Sequence, residues 1–198
     1  MLRNGGSFVF LVLTHLFVYI LNMSGHNKWS QIQRQKGAAD ANKSKVWGKL
    51  AKRIAVESKK ANGDITLPGL RTIIETAKKE NMPKDSIERA IAKGTAVDAA
   101  AMEAITYETY GPGGCAIVIE TLTDSRNRTA QEMKHLLSEL GLALASQGSA
   151  LWAFEKTGEG YTPKTMVPLS AEDDEKLMQI LEKIDAYDDV QEVYTNAE

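Results

Sequence analysis

The sequence predicts an α+β protein: an N-terminal three-helix basic domain followed by an α/β sandwich of mostly antiparallel strands with helices on one face. Three observations predict it. Between residues 43 and 94 apolar residues recur at spacings of three and four, the period of an amphipathic helix. From residue 104 onward the period is that of strands, and the turn Gly111-Pro-Gly-Gly114 separates two strand-like runs. The charge also changes sign at this boundary. Residues 23–97 hold 16 Lys and Arg against 7 Asp and Glu, whereas residues 98–198 hold 7 against 19.

Lys43 to Ala61 is expected to form the first helix, with Val46, Trp47, Leu50, Ala51, Ile54 and Ala55 along one stripe. Lys45, Lys49 and Lys52 share another face, with Arg53 beside them. Like charges four residues apart destabilise a helix by a few tenths of a kcal/mol each, roughly, so a helix that carries several has a use for an anionic partner. A turn at Asn62-Gly-Asp64 leads to a second helix near Leu67, with Pro68 in its first turn and Leu70, Ile73, Ile74 and Ala77 on one side. Pro83 opens a third helix carrying Ile87, Ala90 and Ile91, and Gly94 closes it. Thr95 to Met102 reads as a linker.

In the second half, Ala104–Tyr110 and Gly114–Leu122 form the hairpin; the second run is apolar on both faces and is expected at the centre of the sheet. Thr129-Ala-Gln-Glu132 has the form of a capping box opening a helix with Met133, Leu136, Leu137 and Leu140. Strands are expected at Ala150–Glu155, around Thr165–Leu169 and at Asp189–Thr195. Ser170 is expected to cap a helix bearing Leu177, Ile180, Leu181 and Ile184. The acidic run Glu172-Asp-Asp-Glu175 then suits the N-terminal end of that helix.

Composition narrows the chemistry. Cys115 is the only cysteine and lies in an apolar run, which predicts a small buried hydrophobe, no disulfide framework and an intracellular, cytoplasmic setting. His15, His26 and His135 have no ligand spacing, so neither a metal nor another cofactor is expected. Residues 1–22 form a hydrophobic leader. Its apolar run, Phe8 to Leu21, has 14 residues, where a membrane span needs roughly 20. No Ala-x-Ala-like cleavage site follows it. Met23 is therefore the expected start of the working protein and no membrane association is expected; a membrane anchor is the alternative.

The stretch from Ser24 to Lys45 is basic and nearly free of aliphatic side chains, so it has little to bury and much to offer an anion. His26, Lys28, Trp29, Arg34, Lys36, Lys43, Lys45, Lys49, Lys52 and Arg53 are the candidate nucleic-acid contacts. The cations would meet phosphates, while His26 and Trp29 would stack on a base. Trp29 has an equal alternative as a cap on the helix bundle, and Trp47 is expected in the core. Arg126, Asn127 and Arg128, ahead of a helix, form a possible second contact with RNA or protein, or pair with the acidic surface.

Five blocks of sequence resemble the YebC/PmpR family, which includes the mitochondrial translational activator of cytochrome c oxidase. They are Ser24-Gly-His-Asn-Lys-Trp29, Gly37-Ala-Ala-Asp-Ala-Asn-Lys-Ser-Lys45, Tyr107-Glu-Thr-Tyr-Gly-Pro-Gly-Gly114, Asp124-Ser-Arg-Asn-Arg-Thr129 and Asp188-Asp-Val-Gln-Glu-Val-Tyr-Thr-Asn196. The resemblance implies a helical domain at 23–97 and an α+β domain at 103–198, with the family's inserted third domain absent near 158–162. It also implies a non-enzymatic regulator of gene expression. The family is described as DNA-binding in transcription, with the ribosome and translation as the other description.

The residues favour RNA, since no helix-turn-helix with a base-reading Asn, Gln and Arg cluster stands out. The partner is thus nucleic acid, either DNA or ribosomal RNA, with no small-molecule substrate. Two alternatives remain. One is a phosphate-binding enzyme using the 111–128 loops, although Gly111–Gly114 lacks the lysine and hydroxyl of a phosphate loop. The other is a protein-interaction module, with weak homo-oligomerisation through a strand edge left bare by the missing domain.

Overall fold

The computed structural model describes residues 40–96, 101–157 and 160–198. The leader, the arm up to residue 39 and linker residues 97–100 lie outside the described residues. The helical domain consists of α1 (Asp40–Lys60), α2 (Pro68–Lys79) and α3 (Lys84–Thr95). The stripes expected from the sequence are the ones buried. Leu50 and Ile54 of α1 pack with Leu70, Ile73, Ile74 and Ala77 of α2 and with Ile87 and Ala90 of α3. Fully burying a Leu or Ile is worth about 1.5–3 kcal/mol, so this cluster is what holds three short helices together. Trp47 packs against its edge and donates its indole N–H to the Glu80 carbonyl at 3.0 Å, tying α1 to the α2–α3 turn.

Helices α1 and α3 approach closely at Gly94. A Cβ there would overlap the Ala55 carbonyl oxygen and lie 2.8 Å from the Ser58 Cβ. Ser58 is fully buried at the same crossing and donates its hydroxyl to the Ile91 carbonyl at 2.8 Å. Glycine is thus required at this position by backbone contact, beyond its expected role as a helix stop.

The second domain is built on a three-stranded antiparallel sheet of order β1-β2-β5: β1 (Glu103–Tyr110), β2 (Ala116–Thr123) and β5 (Val190–Thr195). Tyr110 pairs with Ala116 across the expected hairpin, and Gly113 and Gly114 take positive φ in its turn. The central strand is buried on both faces apart from the half-buried Glu120, as the apolar Ala116–Ile119 at its start requires. Helices α4 (Arg126–Glu139) and α5 (Ala171–Asp185) cover one face, where Met133, Leu137, Leu177, Leu181 and Ile184 meet Ile117, Ile119 and Val193. On the other face, Ala116, Val118 and Tyr194 pack against Ala150, Ala153 and Phe154. Phe154 belongs to a small ribbon of β3 (Phe154–Thr157) and β4 (Gly160–Pro163). Among the described residues no helix is long and apolar enough to cross a membrane.

Three local expectations are corrected. Helix α4 begins at Arg126, so Thr129 lies inside it and is no cap; its buried hydroxyl is drawn instead to the Asp189 carboxylate, 2.8 Å away. Residues 151–153 form a 3-10 turn, with the strand starting only at Phe154. The cause is Glu108, whose buried carboxylate accepts the backbone N–H groups of Gly148, Ala150 and Leu151 and bends the chain there. Around Thr165–Leu169 only an isolated bridge forms, Val167 with Ala197, and the strand is displaced to 160–163.

Gly94→Ala is expected to lower stability by about 1–3 kcal/mol through overpacking at the α1–α3 crossing. Gly48→Ala, where a Cβ meets nothing within 4 Å, is expected to raise it by up to about 1 kcal/mol through helix propensity. A urea titration of both variants checks the contrast.

Candidate nucleic-acid interface

Lys45, Lys49 and Lys52 are spaced by four and three residues, so the helical period sets them in one stripe along α1. The structure brings them together as expected, but the stripe points at the second domain. Lys49 Nζ lies 2.6 Å from Asp185 Oδ1 and 3.2 Å from the Gln191 carbonyl. Lys45 Nζ is 3.3 Å from the other Asp185 oxygen. Lys52 Nζ donates to Asp189 Oδ1 and to the Asp188 carbonyl, each at 2.8 Å. The three ammonium groups therefore meet oxygens from the end of α5 and the start of β5.

Asp189 is the most heavily used of these acceptors. Besides Lys52 it accepts from an Arg128 guanidinium nitrogen at 3.0 Å and from the Thr129 hydroxyl at 2.8 Å. Burial alone would raise its carboxyl; hydrogen bonds from Lys52, Thr129 and Arg128 outweigh it and hold the group at about 2. Asp185 is equally buried, 4 % exposed.

A β-bulge explains why main-chain oxygens take part. Glu120 pairs with Glu192 and Thr121 with Val190, so Gln191 is the extra residue on β5 and its carbonyl turns toward Lys49. Glu192 stands near the same stripe. Burial pushes its carboxyl above the usual range, against the pull of Lys49 and Arg53 and with the help of Asp185 and Glu120.

The remaining candidates are distributed as follows. Arg53 and Lys43 are exposed on α1. His26, Lys28, Trp29, Arg34 and Lys36 lie outside the described residues. Arg126 pairs with Glu103 at 2.7 Å, and Asn127 is exposed on the first turn of α4. Arg128 is ringed by carboxylates, Asp189 at 3.0 Å, Asp124 at 3.1 Å and Glu132 at 3.7 Å. Arg126 and Arg128 are therefore engaged with the acidic surface of their own domain. Gly111–Gly114 is the turn of the β1–β2 hairpin, and a side chain on Gly113 would collide with Leu169.

Sequence reasoning missed Asp185, Asp189, Gln191 and Glu192. Their signal is faint: an acidic pair just ahead of a strand, more than 130 residues from the lysines it meets.

The Asp189 carboxyl, held below the roughly 3.9 of an unfolded aspartate, gives stability that is fully present above pH 4 or so and is lost as pH falls toward 2. The urea midpoint of the wild type is expected to drop steeply through that window. Asp189→Asn is expected to cost about 2–3 kcal/mol at pH 7 and to flatten the acid limb. A midpoint series from pH 7 to pH 2 on both proteins reads the two effects together.

Comparison with known proteins places this architecture. The family model described as the TACO1/YebC protein N-terminal domain matches residues 27–97. The model described as the TACO1/YebC second and third domain matches in two segments, 102–160 and 159–197, which meet at the β3–β4 ribbon. A "Probable transcriptional regulatory protein" of Petrotoga mobilis is 46 % identical over 168 residues, 84 % of this chain and 65 % of that protein. A protein of the same name from Thermotoga maritima is 36 % identical over 238 aligned positions, 89 % of this chain and 94 % of its own length. The first relatives are covered over 65 %, 71 % and 62 % of their length, so the chain spans about two thirds of them. The crystal structure of a conserved hypothetical protein from Aquifex aeolicus superposes with a TM-score of 0.72 at 27 % identity, over 80 % of this chain and 91 % of that one. With both family models matched in order and relatives this similar, the chain belongs to the TACO1/YebC family.

Proposed function

We propose that the chain is a non-enzymatic, nucleic-acid-binding regulator of gene expression that works through its helical domain and the basic arm ahead of it. The observation that carries this reading is the placement of charge. The arm, with Lys28, Arg34 and Lys36, runs through Lys43 into the α1 stripe of Lys45, Lys49 and Lys52, with Arg53 beside it. Such a run of cations along the sequence suits phosphate, which is held by charge and without sequence information. The regulatory name carried by the relatives agrees with it.

Folded RNA, such as that of the ribosome, is the favoured target over duplex DNA. The exposed side of α3 carries Asp85 and Glu88 among Lys84, Arg89 and Lys93. A helix of mixed charge is poorly suited to lie in a major groove lined by phosphates on both sides. A basic stretch nearly free of aliphatic side chains suits the irregular, phosphate-rich surface of folded RNA.

The test is co-sedimentation with purified ribosomes over a salt series, with excess duplex DNA as competitor. The protein is expected to stay with the ribosomes. Changing Lys28, Arg34 and Lys36 to Glu is expected to release it and to reduce the slope of log affinity against log salt by about 2, near 0.7 per lost contact. Displacement by duplex DNA at equal ionic strength would instead make DNA the target. Loss of binding to both would remove the nucleic-acid reading.

A further inference from the structure

We propose that the acidic end of the second domain, Asp185 and Asp189 with Glu192 beside them, is an internal stand-in for phosphate: it occupies the Lys45–Lys49–Lys52 stripe, and nucleic acid reaches that stripe only when this seam opens. The inference rests on the nucleic-acid reading above and adds its regulation.

The make-up of the seam supports it. The bonds that cross it run from an ammonium group to a carboxylate or a carbonyl oxygen. Among the described residues the apolar clusters of the two domains share no residue, and the contacts between the domains named above are polar. Contacts of this kind are exchangeable, because a phosphate oxygen offers a lysine what an aspartate oxygen does. They also weaken with salt, as phosphate contacts do.

The seam also contains a defect. Both polar atoms of the Gln191 side chain, Oε1 and Nε2, are buried without a hydrogen-bond partner. Such a group loses its water and gains nothing in return, so opening the seam recovers part of what closing it costs. Glu192, the next residue, stands beside Glu120, its partner across the strands. Closure is therefore a balance between three good lysine contacts and one poorly served side chain, that of Gln191. In the closed form the side chains of Lys45, Lys49 and Lys52, 33 %, 17 % and 27 % exposed, spend their donors on these acids, and binding must displace the acids that hold them. The apparent affinity is then the intrinsic one reduced by the fraction of molecules that are open.

Two measurements on the full chain test this, with a fluorescein-labelled RNA stem-loop and a labelled duplex DNA as probes. In the first, a carbodiimide joins Lys49 Nζ to the touching Asp185 carboxyl as an amide, the carbodiimide taking up the water as its urea, and mass spectrometry reads the yield. Saturating RNA is expected to cut the Lys49–Asp185 product at least about twofold. The Lys176–Glu172 pair, 2.7 Å apart within α5, is expected to stay unchanged.

The second measurement compares the wild type with Asp185→Asn at one ionic strength. The variant is expected to bind RNA about tenfold more tightly, a factor set by the closed population it releases. Should RNA bind while the Lys49–Asp185 yield stays constant and Asp185→Asn leaves affinity within twofold, the seam is no gate, although the nucleic-acid reading survives. Should neither protein bind either probe, both readings fall. The cross-link arm uses the wild type, so it decides the matter even where Asp185→Asn folds poorly.

Discussion

The Asp189 carboxylate, with its own backbone, ties four elements of the chain together. Its carbonyl accepts the Leu122 N–H at 2.8 Å at the end of β2, and its side chain collects Thr129 and Arg128 from α4 and Lys52 from α1. It is 5 % exposed, so none of these bonds competes with bulk water on equal terms. The first turn of α4, the entry to β5 and the helical domain are all oriented by one ionised group. A buried anion is costly unless every lone pair is used. The convergence of three donors is what makes an ionised aspartate tolerable here, and it in turn fixes where the donors stand.

Much of the fold was legible because it rests on local periodicity. The stripe of Leu50 and Ile54, the hairpin at Gly111–Gly114 and the two-sided burial of Ala116–Thr123 all follow from spacing within a dozen residues. The expectations that needed correcting involve buried polar groups whose partners are distant in sequence. Thr129 has the spacing of a cap, but its hydroxyl is drawn to a carboxylate 60 residues away. Residues 150–153 have strand-like composition, but the Glu108 carboxylate, 42 residues back from Ala150, captures the N–H groups of Ala150 and Leu151. No window of sequence contains both ends of such a bond.

The candidate site was half legible for the same reason. That Lys45, Lys49 and Lys52 share a face follows from the helix period alone. That this face meets Asp185 and Asp189 does not, since nothing local says which of the many acids in the second half is opposite. The opposite charges of the two halves take on a second meaning in the structure. Part of that asymmetry is satisfied inside the molecule, so net charge per domain overstates what is offered to a partner.

The β3–β4 ribbon has the properties of a splice point. Thr157 and Gly160 pair directly across it, and the two segments of the family match join there. Because the strands entering and leaving are already hydrogen-bonded neighbours, chain length between them is nearly decoupled from the sheet beneath. Lengthening a closed loop costs only about 0.6 kcal/mol for each doubling, so material can be gained or lost at this tip while Phe154 and Tyr161 keep their edge-on contact, 6.4 Å between ring centres, over the second face of the sheet. Relatives of quite different length can thereby share one core.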